Sequence, residues 1–132
     1  MRKTELTEEQ QKKFKWLMDA DTKNEDVKVS KFGYLIWKGG TWEDGIWDRG
    51  TWENGTWKDG IWEYGIWEDG IWKGGTWKDG IWEDGIWKDG IWEDGIWKDG
   101  IWKGGLMWSN LKQRNVYVKW DKDKREFEED LK

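Results

Sequence analysis

The middle of the chain reads, from residue 36 to residue 65, IWKGG TWEDG IWDRG TWENG TWKDG IWEYG, and the same unit continues without interruption to Gly105. The block from Ile36 to Gly105 contains 14 such pentapeptides. Trp fills the second position and Gly the fifth in every unit, whereas the first is Ile or Thr and the third is Lys, Glu or Asp. A repeat of this regularity predicts a solenoid built from one structural unit.

The five-residue period excludes helices and hairpins from the block. It fits neither the 3.6-residue period of a helix nor the two-residue period of a strand, and a Gly in every unit would cost a helix about 1 kcal/mol each time. The segments between successive Gly residues are also too short for ordinary hairpin strands. We therefore expect short strand segments joined by corners, where Gly supplies positive φ and a preceding Asp or Asn bonds the turn backbone.

Alternation along each short strand decides which side chains face inward. The first and third positions point one way and the Trp between them points the other. Because the third position exchanges Lys for Glu and the first exchanges Ile for Thr, these positions are expected to face solvent. The predicted core therefore consists of Trp37, Trp42, Trp47, Trp52, Trp57, Trp62, Trp67, Trp72, Trp77, Trp82, Trp87, Trp92, Trp97 and Trp102.

The period and the large inward residue resemble the pentapeptide-repeat family, in which four units form one coil of a right-handed β-helix. The resemblance covers about residues 26–110 and concerns period and logic, because Trp stands where that family has Leu or Phe. It implies a mainly β, four-sided, right-handed solenoid. Charge order at the third position favours neither three nor four units per coil, whereas the space that an indole needs favours four. The units also look like Trp pentapeptides of uncharacterised phage and bacterial proteins.

The sequence before the block predicts a cap and then degenerate repeat units. Residues 1–25 form the N-terminal cap, with a helix expected from Glu8 to Asp19, Thr7 as its N-cap and one apolar face. The solenoid is expected over residues 26–110. Its degenerate units place Val27, Phe32 and Met107 in the Trp column.

Residues 111–132 predict a second cap. Val116, Val118 and Trp120 alternate with Tyr117 and Lys119 as in a short strand. Asp121 is then expected to cap a helix that runs to about Leu131 and bears Phe127 and Leu131. Short helical caps are thus expected at both ends. The alternative is that these flanks dock a partner.

The composition excludes several kinds of chemistry. The 132 residues include no Cys and no His, so thiolate nucleophiles, zinc-thiolate sites and Ser-His-Asp catalysis are missing. We expect no enzyme activity, no cofactor, no metal and no small-molecule substrate. No apolar run approaches the ~20 residues that span a bilayer, and no secretion signal is evident. The sequence thus predicts no membrane association and a cytoplasmic protein, or a virion protein if the chain is phage-encoded.

The acidic repeat leaves binding functions as alternatives. The block carries 8 positive and 15 negative residues. An acidic solenoid could imitate DNA and inhibit a topoisomerase, but the interleaved Lys residues argue against this and against a nucleic-acid partner. Outward Trp ladders would bind carbohydrate. Stacked Asp59, Asp79 and Asp99 could bind calcium under a 20-residue coil, although a role in the corner turns is favoured.

The favoured function is a non-enzymatic structural or assembly module, a rigid spacer that makes protein–protein contacts. The expected partner is a second copy of the chain or another structural protein. Outward β-branched stripes larger than a monomer usually exposes would mediate the contact. In the four-sided register the candidate interface residues are Ile46, Ile66 and Ile86 on one face, and Ile71 and Ile91 on another.

Overall fold

A computed structural model describes residues 1–131. A 3-10 turn at Lys3–Glu5 precedes two short helices, α1 (Glu8–Lys13) and α2 (Lys15–Asp19). β1 (Asp21–Val29) and β2 (Leu35–Asp44) then form an antiparallel hairpin. The two-residue strands that follow are β3 (Ile46–Trp47), β4 (Thr51–Trp52), β5 (Thr56–Trp57), β6 (Ile61–Trp62), β7 (Ile66–Trp67), β8 (Ile71–Trp72), β9 (Thr76–Trp77), β10 (Ile81–Trp82), β11 (Ile86–Trp87), β12 (Ile91–Trp92), β13 (Ile96–Trp97) and β14 (Ile101–Trp102). The last strands are β15 (Leu106–Ser109), β16 (Arg114–Asp121) and β17 (Glu126–Glu129).

Parallel pairing at an offset of 15 residues makes the block a solenoid of about five turns. Ile36 pairs with Thr51, and Thr51 pairs in turn with Ile66. The predicted mainly β solenoid is confirmed, but the four-sided coil is wrong, because three pentapeptides complete each turn. The expected unit after the block is also confirmed, since Leu106 and Met107 pair with Ile91 and Trp92. The right-handed coil stays a prediction.

The predicted Trp core is confirmed. Trp37 to Trp87 have no exposed surface, Trp92 and Trp102 are buried, and Trp97 is half-buried near the C-terminal end. Each indole stacks on the one 15 residues further along, with ring centroids 4.7–5.1 Å apart and planes within 4–7°. Three parallel stacks of indoles therefore run along the axis of the solenoid.

Contacts between the three stacks explain why the coil has three sides. Successive indoles meet edge to face, with centroids 5.5–6.0 Å apart and planes 66–79° to one another. Aromatic rings favour this arrangement. Three rings so arranged fill the cross-section. We expected four sides because we considered only the volume of the indole. A fourth side would have separated the rings and left a void at the centre.

Each corner requires Gly for two reasons, which Gly90 shows. Its φ is +128°, in the region that favours Gly. A Cβ atom there would also lie 2.5 Å from the carbonyl oxygen of Gly75 in the coil below and 3.1 Å from Nε1 of Trp72. That same carbonyl accepts the backbone N–H of Ile91 at 2.9 Å, so the corner cannot retreat without breaking the ladder. The invariant Gly therefore sets the spacing between coils.

The indole N–H groups point toward the backbone of the next coil. Nε1 of Trp57, Trp72 and Trp77 each donates to a carbonyl oxygen 17 residues further along, at 3.1 Å. Within residues 1–131, nine of the repeat indoles have a buried Nε1 without a hydrogen-bond partner. Such groups cost stability. Ring stacking and burial must outweigh that cost.

The N-terminal cap begins as predicted and then departs from the prediction. The side chain of Thr7 caps α1 together with Gln10, as expected. The continuous helix to Asp19 is wrong, because Phe14 adopts φ −105° and ψ 44° and separates α1 from α2. This break turns Trp16 over the first coil, where its ring lies 5.0 Å from that of Trp47.

Residues 26–35 do not form coils of the solenoid, so the predicted boundary at residue 26 is wrong there. β1 runs antiparallel to β2, and Val27 is buried opposite Trp37. Phe32, expected in the Trp column, lies in the hairpin turn and is 82% exposed. These residues lack the Trp and Gly positions of the repeat, so the chain reverses at Gly33 and β1 covers the otherwise open edge of the first coil.

The C-terminal cap is a hairpin, and its predicted helix is wrong. β16 has Val118 buried between two exposed residues, as expected from its alternation. The carbonyl oxygen of Val118 accepts a hydrogen bond from Nε1 of Trp102 at 3.0 Å. At Asp121 the chain turns, because the Asp121 carboxylate accepts two backbone N–H groups from the following residues. β17 then pairs with β16 and lays Phe127 4.9 Å from Trp102, whereas Leu131 is exposed.

A buried carboxylate fastens the N-terminal cap. Glu25 is 3% exposed and accepts hydrogen bonds from Nε of Arg2 at 2.9 Å, the backbone N–H of Lys3 at 3.1 Å and Oγ1 of Thr22 at 2.9 Å. Burial opposes ionisation of Glu25, but these hydrogen bonds outweigh it and lower its pKa to about 2. The ionised carboxylate therefore stabilises the folded cap.

The first prediction concerns the core. We expect Trp72→Ala to lower the free energy of unfolding by about 3–5 kcal/mol, because it removes a ring from the middle of a stack. Ile71→Thr, which copies a change found within the repeat, should alter it by less than about 1 kcal/mol. Denaturant melts measure both. Equal losses would contradict the inward assignment of Trp.

The second prediction concerns Glu25. Its folded-state pKa is depressed, so its contribution is complete above its ordinary value near 4.5 and is lost as the pH falls toward 2. We expect this loss to reach about 3 kcal/mol at most. In Glu25→Gln, melts should show lower stability at pH 7 and a flatter acid profile. The exposed control Glu8→Gln should follow the wild type; a Glu25→Gln profile identical to wild type would contradict the assignment.

Candidate interaction surfaces

The three-sided coil divides the outward residues into three faces. Their first positions are occupied, from coil 1 to coil 5, on face 1 by Ile36, Thr51, Ile66, Ile81 and Ile96, on face 2 by Thr41, Thr56, Ile71, Ile86 and Ile101, and on face 3 by Ile46, Ile61, Thr76, Ile91 and Leu106. Each column runs along the full solenoid. These columns are the β-branched stripes that the sequence led us to expect.

The predicted interface residues do not share the faces assigned to them. Ile46, Ile66 and Ile86 lie on faces 3, 1 and 2, so the first predicted stripe does not exist. Ile71 lies on face 2 and Ile91 on face 3, so the second is also wrong. The reason is the coil length, because a 20-residue register stacks different units from a 15-residue one. Ile71 and Ile86, from different predicted stripes, are direct neighbours.

The third position separates charge between faces, which sequence analysis missed. Face 1 carries Lys38, Glu53, Glu68, Glu83 and Lys98, face 2 carries Glu43, Lys58, Lys73, Lys88 and Lys103, and face 3 carries Asp48, Glu63, Lys78 and Glu93. Three acids are thus consecutive on face 1 and four lysines on face 2. At the level of the sequence, only the number of stacked third-position pairs of opposite charge was counted. The separation of acidic and basic columns appears only when the coil length is known.

Like charges in these columns are largely uncompensated within the chain. Ion pairs occur near the column ends, where Lys58 lies 3.3 Å from Glu43 and Lys98 lies 3.9 Å from Glu83. In the part of the chain that the structure describes, Lys73 and Glu68 form no ion pair. Desolvation and the charges of Glu53 and Glu83 raise the pKa of Glu68. Like charges in register destabilise a sheet, so the columns cost the fold some stability.

The corner carboxylates have a structural role, as predicted. At nine corners, Oδ1 of an Asp or Asn accepts the N–H of the next Gly at 2.8–2.9 Å, as Asp59 does for Gly60. Asp59, Asp79 and Asp99 lie on three different edges and do not stack. Among residues 1–131, no group of three or more His, Cys, Asp or Glu residues could hold a metal ion.

A shallow groove of about 470 Å³ runs along the edge of face 1. Tyr34, Tyr64 and Arg49 border it, beside the column that contains Ile66. Arg49 and Tyr64 replace the usual Asp at the fourth position, so two departures from the repeat meet at one edge. These two departures from the repeat were the feature of the sequence that could have indicated the groove. Tyr34, from the β1–β2 turn, carried no signal of its own.

Comparisons of the chain with protein-family models, with curated proteins and with solved structures found no match. The five-residue Trp spacing and the solenoid of about five turns are consistent with a pentapeptide-repeat-like fold. Within residues 1–131, no helix has the length and apolar character needed to cross a bilayer.

The third prediction concerns metal. Because the corner oxygens already accept Gly N–H groups, we expect a chelator to leave the thermal melt unchanged. Melts in EDTA and in excess calcium measure this. A lower melting temperature in EDTA that calcium restores would show that the corners bind metal.

Proposed function

We propose that this protein is a non-enzymatic structural module, a rigid solenoid that holds lateral protein contacts at fixed spacing. The observation that carries the proposal is the set of three continuous indole stacks, which Trp16 contacts at one end and Phe127 at the other. Each coil is joined to the next by ring stacking and by backbone hydrogen bonds 2.8–3.0 Å long. Bending the solenoid would separate the stacked rings and lengthen the hydrogen bonds in every coil. The solenoid should therefore resist bending and keep its shape.

The two caps limit where partners can bind. At the N-terminal end, Trp16 and β1 cover the first coil. At the C-terminal end, Phe127 contacts Trp97 and Trp102, at 5.5 and 4.9 Å. β13 and β14 remain terminal strands of their sheet, but each is only two residues long and lies beside the aromatic contacts of the cap, so the ends offer little edge for end-to-end growth. Contacts with a partner are therefore expected on the sides.

The binding alternatives receive less support. Carbohydrate binding through outward Trp ladders loses its basis because the repeat indoles form the core. DNA mimicry would need a continuous acidic surface, and face 2 presents consecutive lysines instead. A second copy or another structural protein remains the proposed partner. Membership of the pentapeptide-repeat family, a phage origin, and a place in the cytoplasm or a virion are further parts of the proposal.

The fourth prediction tests rigidity. The chain has no Cys, so spin labels can be attached at Lys38→Cys and Lys98→Cys, in the same column of coils 1 and 5. Four coil spacings give a backbone separation of about 19 Å. We expect pulsed electron paramagnetic resonance to show one narrow distance distribution. The same labels in Trp72→Ala should give a broader one. A broad distribution in the otherwise unaltered chain would contradict a rigid spacer.

A further inference from the structure

We propose that face 2 of one copy packs against face 1 of a second copy, with the two solenoid axes antiparallel. This inference rests on the proposed structural function and names the partner of its lateral surfaces. The observation behind it is the opposite order of charge on the two faces. Both columns repeat at the spacing of one coil, so charges that match in one coil match in its neighbours.

The charges of the two faces are complementary when one copy is inverted. Coil 1 of one copy then meets coil 5 of the other, and coil 3 meets coil 3. Four of the five resulting pairs have opposite sign: Glu43 with Lys98, Lys58 with Glu83, Lys73 with Glu68, and Lys88 with Glu53. The fifth, Lys103 with Lys38, lies at the end of the contact.

The winding of the chain selects antiparallel axes. Two identical coils with parallel axes run in opposite directions where their faces meet, which would set the third position against the first. Inverting one copy makes the two chains run the same way across the contact. The lysine column of face 2 then lies over the acidic column of face 1, and the Ile and Thr columns lie over one another, as Ile71 does over Ile66.

The groove along face 1 adds complementary groups at the rim. In this arrangement its border lies opposite the corner carboxylates that precede face 2. Arg49 lies level with Asp84, and the hydroxyl-bearing Tyr34 and Tyr64 lie level with Asp99 and Asp69. Within the described chain, Arg49 forms no ion pair of its own. A cation and two hydrogen-bond donors thus meet acceptors.

Other antiparallel pairings of the faces bring like charges together at the centre or in the coils beside it. A two-fold contact of face 1 with itself sets Glu68 against Glu68, and one of face 2 with itself sets Lys73 against Lys73. Inverted face 3 against face 2 sets Lys78 against Lys73. Inverted face 3 against face 1 sets Glu63 against Glu83 and Glu93 against Glu53. Like charges at an interface suppress the wrong partner. In the contact of face 2 with face 1, the third-position columns form only one pair of like charge, and that pair lies at the end of the contact.

The contact is heterologous, so it does not close on itself. Each copy keeps an unused face 1 or face 2, and repeating the contact restores the original orientation in every second copy. The result is an open ribbon of alternating rods that grows perpendicular to their axes.

A face about 24 Å high and about 16 Å wide is small beside a standard interface of about 800 Å² per partner. The far rim also sets Asp59 against Asp84 and Asp44 against Asp99. The contact is therefore weak and sensitive to salt.

The test uses charge reversal at the centre of the contact. Lys73→Glu and Glu68→Lys copy exchanges found within the repeat, so both variants should fold, which melts will check. Light scattering of the wild type at low salt should show a mass that rises above 16.0 kDa with concentration and falls back in high salt. Each variant alone should associate at least tenfold more weakly, because every contact it makes sets like charges together. An equal mixture should regain wild-type association, because alternating copies restore opposite charges at every contact.

Crosslinking tests the orientation. Mixing Lys58→Cys with Glu83→Cys should give a disulfide-linked dimer under mild oxidation, because coil 2 of face 2 meets coil 4 of face 1. The matched control, Lys58→Cys with Glu53→Cys, places its thiols about two coils apart and should crosslink at a small fraction of that yield. Equal or inverted yields would overturn the antiparallel contact.

A wild type that stays at 16.0 kDa up to millimolar concentration in low salt would overturn the inference. So would a mixture of the two charge variants that associates no better than either alone. A monomer that still gives a narrow spin-label distance would leave the proposed rigid module standing and remove only this partner. A broad distance would instead remove the proposed function.

Discussion

The structure depends on the agreement between two distances, the spacing of hydrogen-bonded strands and the spacing of stacked aromatic rings. Parallel strands lie about 4.8 Å apart. The indoles of successive coils stack at 4.7–5.1 Å, so each ring contacts the next without any change in the backbone. The corner Gly makes this agreement attainable, because a Cβ atom there would push the coils apart. The ladder and the ring stacks therefore stabilise one another in every coil.

The sequence predicted what one unit must do and failed on how many units make a coil. Inward Trp and Gly corners follow from which positions vary, and both are confirmed. The number of sides depends on how three or four rings meet at the centre, and only edge-to-face contacts such as that of Trp72 with Trp77 decide it. Volume alone favoured four sides. The direction of ring contact favoured three.

The same error explains why the interaction surface was mispredicted. Ile66 and Ile86 differ by 20 residues, so a four-sided coil stacks them and a three-sided coil places them on different faces. The helix predicted for the C-terminal flank was wrong for another reason. Phe127 was assigned to a helix because Asp121 resembles an N-cap, yet the rings of Trp97 and Trp102 in the last coil provide an apolar surface that Phe127 covers from the β16–β17 hairpin. Tertiary contact overrode local propensity.

The indole core also explains how the surface can carry uncompensated charge. Burial of one Trp contributes on the order of 4–6 kcal/mol before entropy is subtracted, whereas like charges in neighbouring strands cost about 1 kcal/mol or less. The third position is therefore free to vary, as its exchanges between Lys and Glu indicate. Because three units complete a coil, the order of those exchanges along the chain determines the charge of each face. Lys58, Lys73 and Lys88 recur at every third unit, and this recurrence separates the basic face from the acidic one without altering the core.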